Sequence, residues 1–209
     1  MKKFRKDHLI KILESYEQTT FPLDGFLRHY FRSNKAIGSK DRQEICDHIY
    51  GLVRWKGLLD FLCEKPISWA SRLRKYLSIN PSDFTTRSDI PSHIKVSFPK
   101  TIYNRLLQHY GEEKTIAFCL NSNLPAPTTV RANLIKTTRD DLLMRWKGVY
   151  DVSPCTESAN AITFHKKENF FSFPEFKEGL FEIQDEGSQL VAQQIDPKHK
   201  DHILDFCAG

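Results

Sequence analysis

The chain has 209 residues, is 40% hydrophobic and 12% aromatic, and carries a formal net charge of +5. That is ample apolar material for packed cores and excludes a disordered, purely solvated chain. No apolar run reaches the length of a membrane helix, and the basic start, Met1 to Lys11, has no apolar run behind it, so a soluble cytoplasmic protein is expected. The five cysteines are scattered with no Cys-x-x-Cys pair, and the histidines show no ligand spacing, so no metal is expected. Charge is uneven: residues 1–80 hold 16 Lys and Arg against 9 Asp and Glu, whereas 81–209 hold 15 against 17. A basic first portion points weakly to a polyanionic partner.

Along the chain, Leu9, Ile10, Ile12, Leu13 and Tyr16 recur at helical spacing, and Leu23, Phe26, Leu27, Tyr30 and Phe31 form a second stripe. After turn chemistry at 33–38, Ser39 suits an N-cap, with Asp41 in the first turn. Ile45, Ile49, Leu52 and Val53 then line one helix face. Further helices are expected over Lys56–Cys63 and Trp69–Leu77. The turn-rich stretch 79–98 reads as a linker or irregular excursion. Pro99 suits the first turn of a helix that Gly111 closes, and another helix covers Glu112–Leu120.

Beyond Pro127 the period changes. Thr128–Leu134, Val149–Val152, Ala161–Phe164 and Leu180–Ile183 predict strands, with a short helix capped by Thr138 after the first. The order suggests a small α+β domain of ferredoxin-like type. Phe170, Phe171, Phe173 and Phe176 crowd together and read as core rather than a base-stacking surface. Asp185 or Ser188 begins another helix, and Ile203, Leu204 and Phe206 suit a buried strand that reaches small residues where a turn should start.

Three segments carry a resemblance. Ile183-Gln184-Asp185-Glu186-Gly187-Ser188-Gln189-Leu190-Val191-Ala192, leading to Ile203-Leu204-Asp205-Phe206-Cys207-Ala208-Gly209, resembles the entry to the catalytic domain of the RsmB/Nop/Sun family of RNA cytosine methyltransferases. Gly38-Ser39-Lys40-Asp41-Arg42, with Ile49-Tyr50-Gly51-Leu52-Val53-Arg54-Trp55, resembles the signature of the NusB-like helical domain found in bacterial ribosomal RNA members. Pro127-Thr128-Thr129-Val130-Arg131-Ala132-Asn133 resembles the Arg-x-Asn strand of the family's small α+β domain. One departure is the helical domain, which is shorter than the usual NusB-like one.

The resemblance implies a multidomain chain of α and α+β parts: a NusB-like helical RNA-binding domain at 1–80, a linker at 81–98, a ferredoxin- or RRM-like domain with leading helices at 99–182, and the truncated start of a Rossmann-like methyltransferase domain at 183–209. It implies formation of 5-methylcytosine in RNA, with small-subunit (16S) ribosomal RNA as the partner and no membrane. In that chemistry a cysteine thiolate adds to carbon 6 of cytosine, so that carbon 5 can attack the methyl group of S-adenosylmethionine. Both cysteine motifs for this work lie downstream in the family, so no catalytic residue and no independent activity are expected of this chain. Cys207, Ala208 and Gly209 would meet S-adenosylmethionine only in a complete enzyme, where small residues at a strand end let backbone N–H groups approach the ligand. Lys40, Arg42, Arg54 and Lys56 are the candidate phosphate contacts of the helical domain. The plainer reading pairs Asp41 with Arg42 and packs Arg54 over Trp55. Arg131 and Asn133, two apart on one strand face, either approach RNA or brace the catalytic domain. The alternative to the enzyme is a non-catalytic RNA-binding or ribosome-assembly module with a vestigial methyltransferase segment.

Overall fold

The structure, a computed structural model, describes residues 1–206. The chain folds as two compact units, Met1–Leu124 and Pro125–Gly209. The first is helical. Helices α1 (Lys3–Tyr16), α2 (Leu23–Ser33), α3 (Ser39–Arg54), α4 (Lys56–Leu62) and α5 (Trp69–Ser78) pool their apolar stripes into one core. Leu9, Ile12, Leu13, Ile45, Ile49, Leu52, Leu59 and Leu73 are its fully buried members, and Leu27, Phe31 and Trp69 close it. The expected helices are all present. Ser39, however, is the first residue of α3 and not its cap. Gly38 holds the cap position in extended backbone and offers no side chain, so the α3 N-terminus lacks the side-chain acceptor that the sequence suggested.

The stretch 79–98 contains a 3₁₀ turn at Pro81–Phe84 and a single helical turn, α6 (Ser92–Lys95), and it buries Ile90 and Val96 within the first unit. Asn123 ties its end down by donating from Nδ2 to the Val96 carbonyl at 2.7 Å. Helix α7 (Lys100–Ser122) also lies in this unit. It is two helices joined at Gly111, whose φ of 74° and ψ of 172° no helix contains. A side chain rarely tolerates that backbone, so glycine sets the kink. Tyr103 and Cys119, one on each side of the kink, are buried in a small cluster with Val96.

The second unit is a four-stranded antiparallel sheet of β1 (Thr128–Ala132), β2 (Val152–Pro154), β3 (Ala161–Phe164) and β4 (Phe181–Ile183), in the order β2-β3-β1-β4. Strand β1 pairs with β3 through Val130 opposite Ile162, and with β4 through Val130 opposite Ile183. Helix α8 (Arg139–Trp146) follows β1, capped by a reciprocal box between Thr138 and Asp141. Helices α9 (Pro174–Lys177) and α10 (Glu186–Ile195) flank β4 in sequence. This is the mixed helical and small antiparallel architecture expected of a ferredoxin-like domain, with α9 reduced to one turn.

Three strand expectations need correction. The second strand begins at Val152, not Val149, because the chain first leaves α8 through a turn with Gly148 at φ 76°. The first strand stops at Ala132, because Asn133 turns the backbone away. Ile203, Leu204 and Phe206 form no strand: residues 201–205 have no regular structure, and the three side chains are exposed. Backbone N–H and C=O groups form a strand only when a neighbouring strand satisfies them, and none of the four strands of the sheet pairs with this segment.

The core of the second unit is aromatic. The Trp146 ring meets Phe164 at 5.1 Å and Phe181 at 5.3 Å edge-to-face, while Tyr150 stacks on Phe173 at 4.6 Å. Phe170 and Phe173 belong to this core as the sequence suggested, whereas Phe171 is exposed. Trp146→Ala is therefore expected to destabilise this unit by about 3–5 kcal/mol. Limited proteolysis should show early cleavage within 125–206 while 1–124 stays protected.

In the helical unit the buried Arg72 lies over the Trp69 ring at 4.4 Å and donates to Asp60 at 2.6 Å, and Lys56 adds a bond to Asp60 at 3.0 Å. Burial alone would raise the Asp60 carboxyl, but the bonds from Arg72 and Lys56 outweigh it and hold the group below the ordinary carboxylate range. A depressed carboxyl stabilises the fold above its unfolded pKa, and that stabilisation is lost as pH falls through the folded value. Asp60→Asn should cost about 1–3 kcal/mol at neutral pH. Its deficit against the parent chain should shrink in urea melts below about pH 4.

Candidate nucleic-acid interface

Strand β1 builds the site. Its alternation sends Val130 and Ala132 into the aromatic core and turns Arg131 to the opposite face, towards α10. Helix α10 is fastened there by amide and carboxylate groups. Gln189, only 2% exposed, accepts at Oε1 from the Ser158 hydroxyl at 2.9 Å and donates from Nε2 to the Gln184 carbonyl at 3.0 Å. Gln193 donates to the same hydroxyl at 3.3 Å. One oxygen of Glu186 accepts from the backbone N–H groups of Glu157 and Ser158, both at 2.9 Å. The Gln184–Gln189 signature thus docks a helix onto the turn that precedes β3.

Between these elements lies a cleft of about 370 Å³, lined by Arg131, Asn160, Gln184, Gln189, Ala192 and Gln193. The Gln184 Oε1 is buried and has no hydrogen-bond partner among the described residues. One guanidinium and four amides offer several donors and acceptors at fixed positions, a chemistry suited to a phosphate or to the polar edge of a base. Glu182 stands opposite Arg131 in the β1–β4 register. Sequence reasoning singled out Arg131 but not Asn160 or Gln193, since no spacing rule links residues that meet only through the sheet.

Asn133 does not join Arg131 in this face. Its Nδ2 donates to the Gly179 carbonyl at 2.9 Å, its Oδ1 accepts from the Ile135 N–H at 3.2 Å, and its own N–H donates to the Leu180 carbonyl at 2.8 Å. Asn133 is a turn brace, which is why the strand ends before it.

The four candidates of the helical unit are also separated. Lys40 is exposed on the first turn of α3 without an ion-pair partner among the described residues. Arg42 donates to the Ile37 carbonyl at 2.8 Å and lies 5.8 Å from the Phe31 ring, so it braces the α2–α3 turn. Arg54 packs over Tyr50 at 5.7 Å, not over Trp55, and Lys56 is engaged by Asp60. Asp41 pairs with Arg5, not with Arg42. A basic groove of about 610 Å³ that the sequence did not disclose lies instead between residues 62–66 and α5, with Lys65, Arg74 and Lys75 on its walls.

Cys207, Ala208 and Gly209, the expected cofactor contacts, lie outside the described residues. Burial pushes the Cys155 thiol up, and it shares a hydrogen bond with Thr163 at 3.0 Å. No group of His, Cys, Asp and Glu able to hold a metal occurs among the described residues, and no helix there is long and apolar enough to cross a membrane.

Comparison with known proteins agrees with this architecture. Residues 98–170 match the family model of the RsmF/B-like methyltransferase ferredoxin-like domain. The chain is 31% identical over 117 residues to the probable ribosomal RNA small subunit methyltransferase B of Bacillus subtilis, covering 55% of this chain and 26% of that protein. It is 28% identical to the ribosomal RNA small subunit methyltransferase B of Pseudomonas syringae, covering 56% and 26%. It is 25% identical to the 28S rRNA (cytosine-C(5))-methyltransferase of Mus musculus, covering 54% and 15%. The chain thus spans about a quarter of the length of the bacterial relatives. The crystal structure of PH0851 shares the fold with a TM-score of 0.56 at 15% identity, over 91% of this chain and 54% of that one. The ferredoxin-like sheet and these matches together make the chain similar to the RsmF/B-like ribosomal RNA methyltransferases over about half of its length.

Proposed function

We propose that this chain is the N-terminal part of an S-adenosylmethionine-dependent enzyme that forms 5-methylcytosine in small-subunit ribosomal RNA in the cytoplasm. On this reading the helical unit is a shortened NusB-like RNA-binding domain, the sheet unit recognises RNA, and 183–209 opens a Rossmann-like domain. The observation that carries it is the polar cleft around Arg131, held open by the family's own Gln184–Gln189 signature. The names of the bacterial relatives support the small-subunit substrate, and the name of the mouse relative supports the cytosine carbon 5 chemistry.

The part of the chain described here binds and positions RNA. S-adenosylmethionine would supply an electrophilic methyl group, and Cys207, Ala208 and Gly209 would lie beside it. Residues 201–206 form no crevice at a strand's carboxyl end, so the described residues do not themselves fit the methyl donor.

Deleting the gene is expected to remove a 5-methylcytosine from small-subunit ribosomal RNA, read by bisulfite sequencing; an unchanged pattern would reject this assignment. In filter binding at two salt concentrations, the chain should retain a small-subunit RNA fragment. Arg131→Ala should weaken that binding and flatten the salt slope by about 1 if Arg131 contacts phosphate. Equal affinity and slope in the variant would remove Arg131 from the interface.

A further inference from the structure

The outer face of α2 carries a second, differently built feature. Helix α2 is strongly two-sided: Leu27, Tyr30 and Phe31 face the core, while Gly25, Arg28, His29 and Arg32 fall at i, i+3, i+4 and i+7 on another face. The preceding loop brings Phe21 over this face. The Phe21 N–H donates to the Thr19 hydroxyl at 3.1 Å, which fixes its backbone, and the ring lies against the bare Cα of Gly25. A Cβ there would meet Phe21 Cε1 at 2.5 Å, so only glycine lets the ring settle so close. Phe21 is nevertheless 56% exposed.

A single exposed aromatic is unremarkable by itself. Here it forms one wall of a depression of about 560 Å³ whose other walls include Arg28, His29 and Arg32, with no acidic residue among them. Neither arginine has an ion-pair partner among the described residues, and the nearest acid on the helix, Asp24, is engaged by the Tyr50 hydroxyl. The two guanidinium groups leave the helix one turn apart, about 6 Å along its axis. An aromatic face beside unpaired arginines is the combination that holds unpaired nucleotides, the ring taking the base and the cations the backbone.

We propose that Phe21 is a stacking platform for an unpaired RNA base, with Arg28 and Arg32 as its phosphate contacts. The site belongs to the helical unit and the Arg131 cleft to the sheet unit, and only the identity of its polyanion rests on the RNA-directed reading given above. Stacking needs a free base face, so the site distinguishes single strands from duplex, and its ring and charge components separate by salt dependence.

The test is fluorescence anisotropy of the 209-residue chain with a labelled mixed-sequence single-stranded RNA and with a blunt RNA duplex of equal length. Phe21→Ala should weaken single-strand binding about tenfold at every salt concentration, leave the salt slope unchanged and leave duplex binding unaltered. Phe21→Tyr, which keeps a ring, should restore affinity. Gly25→Ala should weaken single-strand binding by displacing the ring, without lowering the melting temperature. Arg28→Ala and Arg32→Ala should each flatten the single-strand salt slope by about 0.7. Undiminished single-strand affinity in a folded Phe21→Ala chain overturns the platform, and if Arg131→Ala still weakens binding, the RNA-directed reading survives it. A parent chain that binds neither RNA overturns both.

Discussion

A strand hydrogen-bonded on both edges has only its two faces left, and the assignment of those faces is fixed by alternation along the backbone. Strand β1 is in that position, between β3 and β4. Val130 and Ala132 must enter the aromatic core once Trp146 packs over them, so Arg131 must emerge on the other side. A slip of one residue would bury the guanidinium and expose Val130. The cleft, the docking of α10 and the placement of the Gln184–Gln189 segment all follow from that register.

The two faces of the sheet are held by different forces. One is an apolar cluster of rings, adaptable in detail and strong in sum. The other is a set of directional bonds among Ser158, Gln184, Glu186, Gln189 and Gln193. Buried amides of this kind cost free energy unless each group is satisfied. The Gln184 Oε1, which has no partner among the described residues, sits where the cleft is, and an acceptor left open there is a natural contact for an incoming donor.

Charge in the helical unit has a similar division of labour. Arg5, Arg42, Arg54, Lys56 and Arg72 are engaged with carboxylates, a carbonyl or rings of the same unit, and they hold helices together. Lys40, Arg28, Arg32, Lys65, Arg74 and Lys75 stand exposed or line open depressions. The surplus positive charge of residues 1–80 is thus carried by groups that remain accessible to a polyanion.

The sequence by itself determined what depends on near neighbours. Apolar spacing marked the helices of the first unit, Gly111 marked the break in α7, Thr138 marked the cap of α8, and the Arg131 strand resembled that of a ferredoxin-like domain whose family model matches residues 98–170. These features are local, set by backbone geometry within a few residues. The tertiary structure alone decided which candidates are available. Asp41 is claimed by Arg5, 36 positions away, and Asn133 by Gly179, 46 away. Ser158 meets Gln189 across 31 residues, and the Phe21 ring finds its seat only because the loop folds back on Gly25. Pairing across such separations depends on how whole elements pack, and no local periodicity encodes it.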